Sequence, residues 1–183
     1  MIAVFMETRD GRIKKSSLEA LSEAKRLAGG LGTEAAAILA GAAVADLAPG
    51  AFSFGAAAVY ALESPALADY SSQAYALALA GFAADVKPAA LLFAATALGR
   101  DLAPRVAARL GAGLASDCTK VEVKDGRLVF TRPIYAGKAF LSLALKSSPQ
   151  LATLRPNVFP LGESVPAAGE VVKVAVDVPE SAL

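Results

Sequence analysis

At 183 residues the chain has the length for one domain with its own hydrophobic core. Its 18 basic and 17 acidic side chains nearly cancel to a formal charge of +1, so no electrostatic footprint for nucleic acid stands out. With no histidine and one cysteine, Cys118, the chain alone cannot build a zinc cluster, a disulfide, or Ser-His-Asp or Cys-His catalysis.

Hydrophobic residues make up 55% and charged residues 19%, and a mean hydropathy of +0.50 owes much to alanine. Such an excess either marks an apolar patch that meets a partner, or reflects alanine raising the index while burying little area. The charge-free stretches 47–62 and 70–84 are broken by Pro49, Gly50, Ser71 and Gln73. They fall short of the roughly 20 apolar residues of a membrane span, so no membrane insertion is expected. Met1–Phe5 runs into Glu7, Arg9 and Asp10 with neither a basic leader nor a cleavage site, and the expected location is cytoplasmic.

Ile2–Met6 is a short apolar run closed by a polar turn, and reads as the first strand. Ser16 or Ser17, with Glu19, then caps a helix whose apolar face is Leu18, Leu21, Ala24, Leu27 and Ala28, and which Gly29 and Gly30 stop. Ala35–Leu39 reads as a second strand, Val44–Leu47 as a short helix and Ala56–Leu62 as a third strand. Tyr70, Ala74, Ala78, Leu79 and Phe82 recur at helical spacing behind Asp69 and Ser71, ending before the loop Asp85–Pro88. Ala89–Phe93 is a fourth strand, and Asp101–Leu110 a helix terminated by Gly111 and Gly113. This alternation predicts a doubly wound α/β fold, a mostly parallel sheet with helices on both faces.

Beyond Asp117 the pattern changes. Lys120–Lys124 and Leu128–Arg132 flank Asp125, Gly126 and Arg127 and predict a β-hairpin. Ala139–Leu145 and Gln150–Leu154 add two strands, so a strand-rich carboxyl third is expected to extend the sheet in mixed orientation. From Pro156 the composition shifts to Pro, Gly and Glu. Residues 1–158 are expected to form the domain and 159–183 a linker or arm, in which Val171–Val178 alternates without an evident partner.

Ligands of open parallel sheets settle beyond the carboxyl ends of the strands, which directs attention to the loops after Met6, Leu39 and Phe93. No phosphate-loop or dinucleotide glycine fingerprint occurs there, and Gly29, Gly30 and Gly32 lie where a helix ends rather than begins. Thr96, Gly99, Arg100 and Asp101 are the anion-site candidates, at a strand-to-helix turn with free N–H groups; the alternative is that Asp101 caps those groups itself. Arg132 and Tyr135, near a strand end, are candidates for a partner interface. Cys118 reads as a buried small residue rather than a redox thiol. No catalytic residue and no metal ligand is expected.

The segment Thr96-Ala97-Leu98-Gly99-Arg100-Asp101-Leu102-Ala103-Pro104-Arg105 closely resembles the alpha subunit of electron transfer flavoproteins. Thr131-Arg132-Pro133-Ile134-Tyr135-Ala136-Gly137-Lys138-Ala139 is similar to that family's R-x-x-Y-x-G-x-A segment, and Gln150–Pro156 to the strand after it. The resemblance implies a Rossmann-like fold of the adenine nucleotide alpha hydrolase type, here the family's amino-terminal domain over residues 1–158. It also implies a heterodimer with a beta subunit, carrying electrons from flavin dehydrogenases to a quinone reductase or another acceptor. Arg105 joins Arg132 and Tyr135 as an interface candidate. FAD is expected in a carboxyl-terminal domain beyond this chain, so no cofactor is expected on these residues.

AMP is expected on the beta subunit rather than here, because beta-type sequences look like A-x-D-x-D-x-x-Q where this chain has Gly99 and Pro104. Two alternatives stay open: an AMP- or ATP-binding module of the same fold, and self-association through the face meant for the beta subunit.

Overall fold

In the computed structural model, which describes residues 1–179, the chain opens on β1 (Ile2–Phe5), buried throughout. A small hairpin follows, β2 (Thr8–Arg9) and β3 (Arg12–Ile13), turning at Asp10 and Gly11. The alternating part continues with α1 (Lys15–Leu31), β4 (Ala35–Gly41), α2 (Ala48–Phe52), β5 (Ala58–Glu63), α3 (Ser72–Val86), β6 (Ala90–Ala94) and α4 (Ala97–Arg109). Then come β7 (Leu114–Cys118), β8 (Lys120–Lys124), β9 (Arg127–Ile134), β10 (Ala139–Ala144), β11 (Gln150–Leu154) and β12 (Glu170–Ala175).

Seven strands form one parallel sheet in the order β12-β5-β4-β1-β6-β11-β7. β1, β4 and β6 carry no polar side chain because helices cover both faces of the sheet. On one face Leu21, Leu27 and Phe52 from α1 and α2 join the core; on the other, Phe5 and Phe93 meet Leu79 and Phe82 of α3 and Leu102 of α4. The fold is the expected Rossmann-like α/β layer.

The carboxyl third departs from expectation. β8, β9 and β10 do not extend the main sheet in mixed orientation; they form a separate antiparallel sheet, while β11 enters the parallel sheet between β6 and β7. The reason is burial: Val121, Leu128 and Phe130 point into the same core cluster as α1, so the small sheet covers that face as a layer. β7 was hidden in the sequence because Ser116 and Asp117 break its apolar run.

Helix ends shift for local reasons. α1 runs through Gly29 and Gly30 and stops at Gly32, whose φ of 64° suits a left-handed cap. Ser17 does not cap α1; its hydroxyl oxygen accepts the Glu7 N–H at 2.9 Å. Ser71 caps α3 as anticipated, accepting from Ala74 N, but the helix continues through Asp85 to Val86. α4 starts at Ala97, earlier than expected, with Thr96 Oγ1 accepting from Gly99 N at 3.0 Å.

After β11 the chain turns at 156–158 and then crosses α1 and α2 without regular structure. Asn157 N–H donates to Glu19 at 2.8 Å, Gly162 N–H to Ser22 Oγ at 3.0 Å and Val165 N–H to the Ser53 carbonyl at 3.0 Å. β12 then pairs parallel with β5 at the sheet edge, from Glu170 beside Ala58 to Ala175 beside Glu63. Much of Val171–Val178 therefore has the partner that its pattern did not reveal. Residues 180–183 of the expected arm lie outside the described residues. Among the described residues, no helix is long and apolar enough to cross a membrane.

Candidate functional site

The winding reverses between β1 and β6, so the topological crevice lies beyond Met6 and Ala95. The Glu7 carboxylate closes it. Oε1 accepts from Lys14 Nζ at 2.6 Å and Oε2 from Thr96 Oγ1 at 2.5 Å, which ties the ends of both strands together. The adjoining cleft, about 280 Å³, is lined by Glu7, Asp10 and Asp69 with Arg9 and Tyr70. A phosphate there would face three carboxylates, with Arg9 and Lys14 as the opposing cations.

The four anion-site candidates do not form one site. Thr96 spends its hydroxyl on Glu7 and on the Gly99 N–H. Gly99 is pressed against the strand, since a Cβ on it would lie 1.9 Å from the Ala94 carbonyl oxygen. Arg100 is held at Nε by the Ala95 carbonyl, 2.8 Å away, and lines a different cleft, beside β7. Asp101 is not a cap. It accepts from the Tyr70 hydroxyl at 2.7 Å and from Arg105 at 3.0 and 3.1 Å, joining α4 to the segment before α3. The Tyr70 hydrogen bond, followed by that from Arg105, holds the Asp101 carboxyl below the usual range, while burial and Asp101 push the Tyr70 phenol up.

The interface candidates also separate. Arg105 sits half-exposed on α4, paired with Asp101. Arg132 turns inward and donates from Nη1 to Ser116 Oγ at 3.0 Å, whereas Tyr135 stands 79% exposed in the turn after β9. Next to it in the small sheet, Phe140 is 67% and Leu141 46% exposed. β10 is the outer strand of that sheet, with β9 on one flank only. Sequence reasoning missed Phe140 and Leu141; the available signal was two adjacent large apolar residues in a strand that should alternate.

The electron transfer flavoprotein domain matches residues 2–179. The chain belongs to this family. It is 45% identical over 173 residues to the electron transfer flavoprotein subunit alpha of Syntrophomonas wolfei subsp. wolfei, covering 94% of this chain and 53% of the relative. The subunit alpha of Thermoanaerobacterium thermosaccharolyticum is 37% identical, over 98% of this chain and 56% of the relative. That of Bacillus subtilis is 36% identical, over 85% of this chain and 47% of the relative. The chain thus spans about half the length of these relatives.

Within this flavoprotein domain Cys118 has no exposure and contacts the Ala115 carbonyl at 3.4 Å. Burial pushes its thiol up to about 12, which leaves almost no thiolate at neutral pH. The native protein should therefore resist Ellman's reagent at pH 8 and react fully once denatured; rapid native labelling would contradict the burial. Among the described residues, no group of His, Cys, Asp or Glu could hold a metal ion.

Proposed function

We propose that this chain is the amino-terminal domain of an electron transfer flavoprotein alpha subunit and acts as a non-catalytic scaffold that docks the beta subunit. The observation that carries this reading is the uncovered β10 edge with Tyr135, Phe140 and Leu141. An edge strand bearing large exposed apolar side chains invites association, and such edges are normally charged or covered. Fully burying a Phe side chain is worth about 1.5–3 kcal/mol, so Phe140, backed by the exposed Tyr135, can anchor an interface, while Leu141, next in the strand, faces the other side of the small sheet.

In this reading FAD belongs to the part of the alpha subunit beyond this domain, and AMP to the beta subunit. The assembled heterodimer carries electrons in the cytoplasm from flavin dehydrogenases to a quinone reductase or another acceptor. The AMP- or ATP-binding alternative gains no support from the crevice beside Glu7, whose carboxylates are the wrong charge for phosphate.

Mixing the purified chain with the beta subunit and measuring association by calorimetry tests the proposal. Phe140→Glu should weaken the complex about 100-fold, close to 2.7 kcal/mol, and leave urea unfolding within about 0.5 kcal/mol because the site is exposed. Undiminished binding by this variant would sink the docking face. The chain alone should show no flavin absorption between roughly 350 and 500 nm; a yellow protein would place flavin on this domain. Light scattering of the chain alone reports self-association, which the beta subunit should dissolve if both use the same edge.

A further inference from the structure

Three arginines and one carboxylate gather at the carboxyl ends of β7 and β11, away from the crevice between β1 and β6. Asp117 takes Arg155 in a two-point bridge, Nε to Oδ1 at 3.0 Å and Nη2 to Oδ2 at 2.6 Å. Arg132 arrives from β9 and donates to Ser116 Oγ. Arg100 arrives from α4. The Arg155 hydrogen bonds, then the charges of Arg155, Arg100 and Arg132, hold the Asp117 carboxyl below its usual range. One carboxylate balances one guanidinium, and neither Arg100 nor Arg132 forms an ion pair among the described residues.

The groups left over are all donors. Arg132 Nε is buried with no acceptor, a state that native structures rarely leave unexplained. Ser116 Oγ is already an acceptor for Arg132, and the buried Thr153 Oγ1 accepts the Asp117 N–H at 2.7 Å, so each hydroxyl still has its proton to give. The backbone is arranged around the same spot. The register of β7 with β11 shifts between Ala152 and Leu154, and Asp117 adopts a φ of 58°, unusual for a residue with a side chain. Beside these groups lies a cleft of about 320 Å³ lined by Arg100, Pro104, Leu114, Ser116, Asp117 and Thr153, to which Arg132 is joined through its bond to Ser116.

We propose that this cleft binds a small oxyanion, a phosphate monoester or a compact carboxylate, held by Arg100 and the hydroxyls of Ser116 and Thr153, with Arg132 adding positive charge from behind Ser116. A guanidinium and two hydroxyls lining one space are complementary to such a group, and the one acid in the lining, Asp117, is balanced in charge by Arg155. The volume is at the small end for ligand sites, which suits a compact acid better than a dinucleotide. The cleft adjoins the docking face, since Arg132 pairs across the strands with Leu141, but oxyanion binding is read on the chain alone and does not depend on that reading.

Isothermal titration of the chain with inorganic phosphate and with malonate, at an ionic strength fixed by sodium chloride, tests it. One saturable site is expected, and whichever probe binds more tightly tells phosphate from carboxylate. Arg100→Gln, which removes the guanidinium lining the cleft, should weaken that probe at least tenfold, and Arg132→Gln severalfold. Ser116→Ala serves if Arg132→Gln does not fold, and nitrogen-detected NMR of the arginine side chains should show the Arg132 Nε–H signal moving during titration. No saturable binding of either probe, or equal binding by wild type and the Arg100→Gln variant with a static Arg132 signal, would overturn the proposal.

Discussion

Replacing Gly99 by alanine is expected to destabilise the protein by about 3 kcal/mol or more. The Cβ would sit 1.9 Å from the Ala94 carbonyl oxygen and 3.1 Å from its carbon, and both atoms belong to the backbone of β6. A side chain can rotate away from a clash; a central strand cannot. The first turn of α4 would have to lift, breaking the Thr96 cap and the packing of Leu102 and Ala103 against the sheet. At roughly 2–4 °C per kcal/mol for a chain of this size, the melting temperature should fall by about 6–12 °C. Gly29→Ala is the matched control. It lies within α1, nothing would stand within 4 Å of its Cβ, and the helix should gain up to about 1 kcal/mol. Urea unfolding of both variants measures this, and a Gly99→Ala protein as stable as wild type would refute the close approach.

Glu7→Ala should produce the second large loss, about 2–3 kcal/mol. The side chain is 10% exposed and serves Lys14 and Thr96 together. Lys14 is 35% exposed and partly recovers water, so its share is small. The larger share comes from Thr96, whose hydroxyl loses its acceptor while still being needed to cap α4. Glu7→Gln retains an acceptor and should cost about 1 kcal/mol. Arg9→Ala, on the exposed neighbouring turn, should stay within about 0.5 kcal/mol. Equal unfolding midpoints for Glu7→Ala and Arg9→Ala would show that the bridge between β1 and α4 contributes nothing.

What could be read beforehand follows from how each element is buried. β1, β4 and β6 lie between two helical layers, so their apolar runs announced them. β12 lies at an edge and is exposed along most of its length, so its residues carry a pattern that a solvated arm could equally carry. β7 carries Ser116 and Asp117 just before its last residue, Cys118, and these polar residues serve the local cluster rather than the strand. The end of α1 was misjudged because Gly29 and Gly30 weaken a helix without forbidding it, while burial of Leu27 and Ala28 sustains it. At the site, Thr96, Gly99, Arg100 and Asp101 are neighbours in sequence, but a helical turn sends the side chains of the last two to different partners. The cluster of Arg132, Asp117 and Arg155 depends on residues from three strand ends, which no local pattern reports.

β12 also changes what the sheet offers to other molecules. Without it, β5 would present a bare outer flank of Ala58, Val59, Tyr60, Ala61 and Leu62, a template on which strands from other copies could stack into aggregates. β12 occupies that flank with its own backbone and sets Glu170 and Lys173 along the new rim, Lys173 reaching Glu63 at 3.3 Å. Charged rims discourage further stacking. The late segment thus guards one flank of the parallel sheet, while β10 of the small sheet keeps its outer flank uncovered.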